Sequence, residues 1–255
     1  MTDILCAIDD GVATVSLNRP AQRNSVTYAM WREIGDVFTE LDLDRSVRSI
    51  ILTGAGTDFS AGADIGEFAS TRDDKAQSAG YEEAVDYGCA AIANAGKPVM
   101  AVVSGYCLGG GAHLAMSCDF RFAHDRAIFG IPAARLSIIY GVQATLKLAA
   151  LVGLSEAKRI LYSAERFDAA KALAIGFVDD VSGDPMTAAL DYARRLADSA
   201  PLTIAGAKYI LNGSALCTFD GAEAGRRIDA ASASSDYREG RLAFAEKRKP
   251  RFTGE

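Results

Sequence analysis

Histidine is scarce in this chain of 255 residues, and His113 and His124 are too few to build a histidine-rich metal site. The five cysteines, Cys6, Cys89, Cys107, Cys118 and Cys217, are odd in number, scattered, and form no C-x-x-C pair. Neither a disulfide framework nor a zinc site is expected from them. No window of about twenty uncharged apolar residues occurs, and the segment MTDILCAIDDGVATVSLNRP has no basic stretch ahead of an apolar one. A soluble, cytoplasmic protein is expected. Runs of basic residues are missing too, with 27 Lys and Arg against 33 Asp and Glu and a net charge of -6. That balance argues against a nucleic-acid or membrane surface and leaves small molecules as the expected partners. There is no internal repeat, low-complexity tract or Pro/Gly/Ser linker.

What is present is core-forming material: 49% of the residues are apolar, enough for a substantial interior. Val12 to Leu17 alternates as a strand does, and Tyr28 to Leu43 spaces Met30, Trp31, Ile34, Val37, Phe38 and Leu41 as an amphipathic helix. Arg48 to Thr53 reads as a buried strand. The order then recurs, with a helix over Tyr81 to Asn94, a strand over Val99 to Ser104 and a helix starting near Ala112. Beyond Gly141 the pattern is mostly helical, around Ala144 to Leu151, Ser155 to Tyr162, Met186 to Ser199, Leu202 to Leu211 and Phe219 to Lys247. An α/β fold is expected, with a core over residues 1–200 and a helical region over 201–255.

Two strand-to-helix loops carry the chemical signal. GAGTDFSAGADIGEF follows the Arg48 to Thr53 strand with small residues that let backbone N–H groups approach a ligand. KPVMAVVSGYCLGGGAHLAMSCD is a buried strand, the triplet Gly109, Gly110, Gly111, and an apolar helix. A helix N-terminus offers unpaired donors and partial positive charge to an oxygen that becomes negative. Either loop alone is better explained by tight turn geometry than by catalysis.

Taken together, LNRPAQRNSV, FSAGADI and KPVMAVVSGYCLGGG resemble the crotonase (enoyl-CoA hydratase/isomerase) superfamily, and the resemblance runs nearly to EKRKPRF. It implies a crotonase-like (ClpP/crotonase) spiral of ββα units with a helical C-terminal trimerisation region, assembling as a homotrimer or dimer of trimers. It also implies an acyl-CoA thioester as substrate, with coenzyme A part of that substrate, no separate cofactor and no metal. The backbone N–H groups of Ala63 and Gly110 would form the oxyanion hole. Ala61, Asp64 and Ile65 would lie along the adenine and pantetheine path, and Arg23 where a basic residue meets the CoA phosphates. Lys247 and Phe244 match a terminal segment that touches CoA from a neighbouring subunit. Exposed surface cations remain the alternative reading of Arg23 and Lys247, and a solvated terminus that of EKRKPRF.

The chain departs from the family where hydration needs it most. Hydratases of this family hold water between two glutamates. Here the first position is His113 and the second is Ala133, in the run Pro132, Ala133, Ala134, Arg135. Ala133 cannot move a proton, so ordinary hydration is not expected. His113, in the first turn of a helix whose dipole disfavours imidazolium, either acts as a neutral base or fills the vacated space. Tyr140 either packs or reaches the acyl group; the family's methylmalonyl-CoA decarboxylase has a tyrosine at this place, though also a histidine where this chain has Ala63. Decarboxylation or isomerisation is therefore expected ahead of hydration, with loss of CO2 suited to an apolar pocket without carboxylates. Asp119, after the helix, reads as structural, Asp125 is another acid nearby, and Glu67 faces either solvent or pocket. A non-catalytic acyl-CoA carrier is the reading from another class.

Overall fold

Residues 2–71, 73–216 and 218–255 are described by a computed structural model, so Cys217 lies outside the described residues. The chain opens with a hairpin of β1 (Ile4–Asp9) and β2 (Val12–Leu17), turned by Asp10 and Gly11, both at positive φ. Helix α1 (Tyr28–Leu43) follows, its N-terminus capped where the Met30 N–H donates to the Thr27 hydroxyl. Met30, Trp31, Ile34, Phe38 and Leu41 are its buried stripe, as the spacing predicts. Next come β3 (Ser49–Gly54), α2 (Phe68–Thr71), α3 (Lys75–Asn94) and β4 (Val99–Val103).

From there two strands precede each helix. The units are β4 and β5 (Tyr106–Leu108) with α4 (Gly110–Ser117), then β6 (Phe120–His124) and β7 (Ile128–Gly130) with α5 (Val142–Ser163). The chain continues through β8 (Arg166–Asp168), α6 (Ala169–Ala174), β9 (Asp180–Ser182) and α7 (Pro185–Ala197), and ends in α8 (Pro201–Ala215), α9 (Gly221–Ala233) and α10 (Ser235–Glu246).

Strands β1-β2-β3-β4-β6-β9 form one sheet, parallel except for the first pair, and β5-β7-β8 form a second. Alternation along the strands splits the core in two. Ile50, Leu52, Ala101 and Val103 join Trp31, Ile34 and Phe38 of α1, whereas Ile51, Met100, Val102 and Phe122 meet Ala189 and Ala193 of α7. Each large side chain so buried contributes roughly 1.5–3 kcal/mol. Trp31 belongs to the first set, which puts an indole beside the functional loops.

Some boundaries differ from those the sequence predicts. Helix α4 begins at Gly110 rather than near Ala112. The stretch Phe219 to Lys247 is two helices, because Ser234 turns extended (φ -67°, ψ 160°) and its hydroxyl caps the Tyr237 N–H. Gly153, at φ 75°, breaks α5 between the two predicted segments. Among the described residues no helix is long and apolar enough to cross a membrane.

Candidate active site

Asn24 organises the first loop. Its side-chain amide donates to the Ala55 and Asp58 carbonyls at 2.9 and 2.6 Å and accepts from the Arg19 N–H at 2.9 Å. The Ser60 hydroxyl donates to the Asn24 carbonyl at 2.7 Å and accepts from the Gly62 N–H at 3.1 Å. Val26 then pairs with the loop as a parallel bridge, donating to Gly62 O at 2.8 Å and accepting from Asp64 N–H at 2.9 Å. The groups between those two bonds face the other way, so the Ala63 N–H points away from Val26.

The second loop is docked on the first. Ser60 bridges Cys107, with Ser60 N–H to Tyr106 O at 2.8 Å and Leu108 N–H to Ser60 O at 3.0 Å. Gly109 has φ 50°, and an added Cβ on Gly110 would sit 2.9 Å from Trp31 Cζ2 and 3.2 Å from the Ala63 nitrogen. A Cβ on Gly62, itself at φ 102°, would lie 2.7 Å from Leu108 O and 3.3 Å from the Gly110 nitrogen. The amides of Ala63 and Gly110 are thus neighbours, and neither N–H has an acceptor among the described residues. Gly110 is also the first residue of α4, where the partial positive charge of the helix end is concentrated. Two such donors suit a carbonyl oxygen that gains charge.

Both amides line a single pocket. Its wall is mainly apolar, with Trp31, Phe68, Val85, Ile131, Leu136 and Ile138 among its side chains. His113, Tyr140 and Ala133 line it as well. His113 is 3% exposed, and its Nε2 has no hydrogen-bond partner. Burial, helped by the Lys147 ammonium, lowers its pKa from 6.5 to about 3. The imidazole is neutral as the sequence predicts, but burial dominates the shift, and a base this weak is a poor acceptor of a carbon-bound proton. Its ring is 5.9 Å from that of Tyr140, whose hydroxyl donates to the Gly109 carbonyl at 2.9 Å. Burial also raises the Tyr140 pKa well above the usual phenol value. That phenol proton is therefore committed to the backbone.

One pocket group was missed by motif reading. Glu82 of α3 lines the wall, so the pocket does contain a carboxylate, and its charge contributes to the raised Tyr140 pKa. It comes from the segment between Gly66 and Ala91, which carries no recognisable motif, and only the helical spacing of Tyr81, Glu82 and Val85 hints at a shared face.

The other candidates divide. Ala61 and Ile65 line the pocket, with Ile65 exposed. The Asp64 carboxylate does not; it accepts from Arg19 Nη1 at 2.8 Å and the Gly66 N–H at 3.0 Å, and Arg19 holds its pKa below the usual carboxylate range. Arg23 is exposed, its carbonyl receives the Ala61 N–H at 2.8 Å, and its guanidinium lies 4.9 Å from the Tyr106 ring centre. Arg166 shares that ring at 5.2 Å, brought there by the β5-β7-β8 sheet, and no local pattern in the sequence pointed to it. Phe244, 88% exposed, and Lys247, the C-cap of α10, are not part of this pocket within one chain. Glu67 turns to the backbone, accepting from the Tyr28 N–H at 2.8 Å at the start of α1. Asp119 accepts from the Val99 N–H and Lys208 Nζ, both at 2.8 Å, while Asp125 pairs with His124 at 2.6 Å.

Comparison with known proteins adds to this geometry. The sequence profile described as Enoyl-CoA hydratase/isomerase matches residues 7–255. The chain is 33% identical to a short-chain-enoyl-CoA hydratase of Clostridium acetobutylicum, covering 98% of this chain and 97% of that protein. It is 32% identical to the 2,3-dehydroadipyl-CoA hydratase of Escherichia coli over the whole of both. The crystal structure of an enoyl-CoA hydratase/carnithine racemase from Magnetospirillum magneticum superposes with a TM-score of 0.92 at 32% identity, covering 100% and 97% of the two chains.

Proposed function

The chain belongs to the enoyl-CoA hydratase/isomerase family, with the crotonase fold, and from that premise we propose that it moves a double bond along an acyl-CoA by way of a thioester enolate. The observation that carries this reading is the adjacency of the Ala63 and Gly110 amides in a pocket whose only carboxylate, among the described lining residues, is Glu82. The thioester oxygen accepts from both N–H groups. Glu82 takes the proton from C2 of a 3-enoyl-CoA, the electron pair shifts to place negative charge on that oxygen, and the C3=C4 bond is recruited into the dienolate. Return of the proton from Glu82 to C4 leaves the double bond at C2=C3 and Glu82 ionised again. Each preorganised donor of this kind contributes about 2.7–4 kcal/mol in other enzymes.

Hydration asks for a second group to deliver water, and Ala133 with a feebly basic His113 does not supply it. The same amide pair would support loss of CO2 from a malonyl-type thioester. No cationic side chain lines the pocket among the described residues to hold an acyl carboxylate, and on that ground we rank isomerisation first. Arg23 and Arg166, around Tyr106, are the cations we assign to the CoA phosphates. In a trimer or dimer of trimers, the exposed Phe244 and Lys247 would reach CoA from a second copy.

The test is incubation with 3-hexenoyl-CoA, crotonyl-CoA and methylmalonyl-CoA in heavy water, followed by absorbance of the conjugated thioester and mass of the products. The expected result is a conjugated 2-enoyl-CoA from the first substrate, largely free of deuterium because Glu82 carries the same proton from C2 to C4, and formed about 10²-fold or more slowly in Glu82→Gln. Rapid hydration of crotonyl-CoA overturns the reading. Binding without turnover of all three leaves the acyl-CoA carrier in its place.

A further inference from the structure

The hydrogen bond from Tyr140 to Gly109 ends on a particular peptide unit. The Gly109 carbonyl and the Gly110 N–H belong to the same amide, none of the described peptide bonds is cis, and in a planar trans amide C=O and N–H point in opposite directions. Whatever fixes the carbonyl therefore aims the N–H. That carbonyl accepts from two sides, the Tyr140 hydroxyl at 2.9 Å and the His113 N–H at 3.0 Å. The second bond is the ordinary first rung of α4, whereas the first comes from a residue 31 positions along the chain.

The loop needs such a restraint. Three consecutive glycines leave the backbone more torsional freedom than any other run of residues, and Gly109 sits at φ 50°, ψ -112°. Tyr140 is well placed to supply it, because its own carbonyl accepts from the Thr145 hydroxyl at 3.2 Å and its ring lies beside that of His113. A carbonyl with two donors is also a more polarised amide, and its N–H becomes a stronger donor, by about 10–30% per added bond.

Resting on the oxyanion reading above, we propose that Tyr140 is the positioning residue of the oxyanion peptide: through the Gly109 carbonyl, its hydroxyl aims and polarises the Gly110 N–H toward the thioester oxygen. Tyr140 touches no reacting atom in this role. It holds its proton throughout and passes none to the enolate.

The experiment is the carbonyl stretch of hexanoyl-CoA, carrying a 13C=O label, bound to the wild-type protein and to Tyr140→Phe. The wild type is expected to lower the stretch relative to free thioester, and Y140F to lose a large part of that shift. Turnover of 3-hexenoyl-CoA should fall about tenfold in kcat, with KM within about twofold. An equal shift in Y140F and wild type overturns the proposal while leaving the oxyanion hole intact. No shift in the wild type overturns the oxyanion reading itself, and this inference falls with it. Should Y140F fail to fold, site-specific difluorotyrosine in place of Tyr140 keeps the ring and sharpens the donor. A larger shift is then expected, and an unchanged or smaller one overturns the proposal.

Discussion

His113 puts a weakly basic imidazole in the wall of the pocket. The imidazole is buried, unpartnered at Nε2 and lowered to a pKa of about 3 by desolvation first and Lys147 second. In the unfolded chain it titrates near 6.5. Between about pH 6.5 and 3 the unfolded state binds a proton that the folded state refuses, so acid draws the equilibrium toward unfolding. Stability conferred by the neutral imidazole is complete above 6.5 and falls by up to ~1.4 kcal/mol per pH unit below it. His113→Leu removes the titration and an orphaned polar atom together. Denaturant midpoints at pH 6 and pH 5 should show wild type losing about 1 kcal/mol more than the variant over that step. Parallel losses in the two proteins would mean that the imidazole is protonated in the folded state.

At the level of elements, the Gly109, Gly110 and Gly111 loop depends on how closely helix α1 approaches the N-terminus of α4. Trp31 Cζ2 stands where a Gly110 side chain would be, at 2.9 Å from its Cβ, and the indole is pinned by a 3.0 Å bond from its Nε1 to the Tyr81 hydroxyl. Gly110→Ala must therefore push the loop rather than the ring. We expect about 10²-fold loss of kcat with about 1–3 kcal/mol of destabilisation from overpacking. Retained turnover with lowered thermal stability would show that the ring yields instead. Features of this kind were legible in advance, because amphipathic spacing announced α1 with Trp31 on its buried face and the glycine triplet announced the α4 terminus. The Ala63 and Gly110 pairing was reachable only through a family resemblance, since no spacing rule brings two distant loops together. Glu82 and Arg166 stayed hidden for a different reason: one sits on a helix without a motif and the other on a three-residue strand, and only the folded chain supplies their neighbours. The ion pair of the Asp64 carboxylate was not legible either, because its partner Arg19 lies 45 residues earlier and nothing local signals it.

On the scale of the whole molecule, the question is whether residues 201–255 behave as a separate unit or as part of the spiral. Lys208 of α8 gives one answer. Its ammonium, 9% exposed as a residue, donates to Asp119 at 2.8 Å and to the Lys97 carbonyl at 3.0 Å, and Asp119 in turn accepts from the Val99 N–H that starts β4. Asn212, one turn further along α8, donates to the Ala93 carbonyl at 2.9 Å. Arg48, just before β3, reaches the Ala197 and Ser199 carbonyls at 3.1 and 3.2 Å and the Phe252 carbonyl at 3.2 Å. The Lys208, Asn212 and Phe252 bonds run from residues 201–255 to the segments that lead into β3 and β4, interior strands of the large sheet, so loosening α8 exposes groups that those strand ends cannot satisfy alone. Removing one member of a buried pair costs about 3–5 kcal/mol because the other is left uncompensated. Lys208→Met should therefore lower the melting temperature by at least about 6 °C, and in calorimetry the unfolding should remain one transition with matching calorimetric and van't Hoff enthalpies. Replacing Asp119 as well, with Leu, should recover part of the loss, since no charge is then stranded. A two-step melt in Lys208→Met, with the sheet surviving the first step, would instead establish α8 to α10 as an independently folding unit.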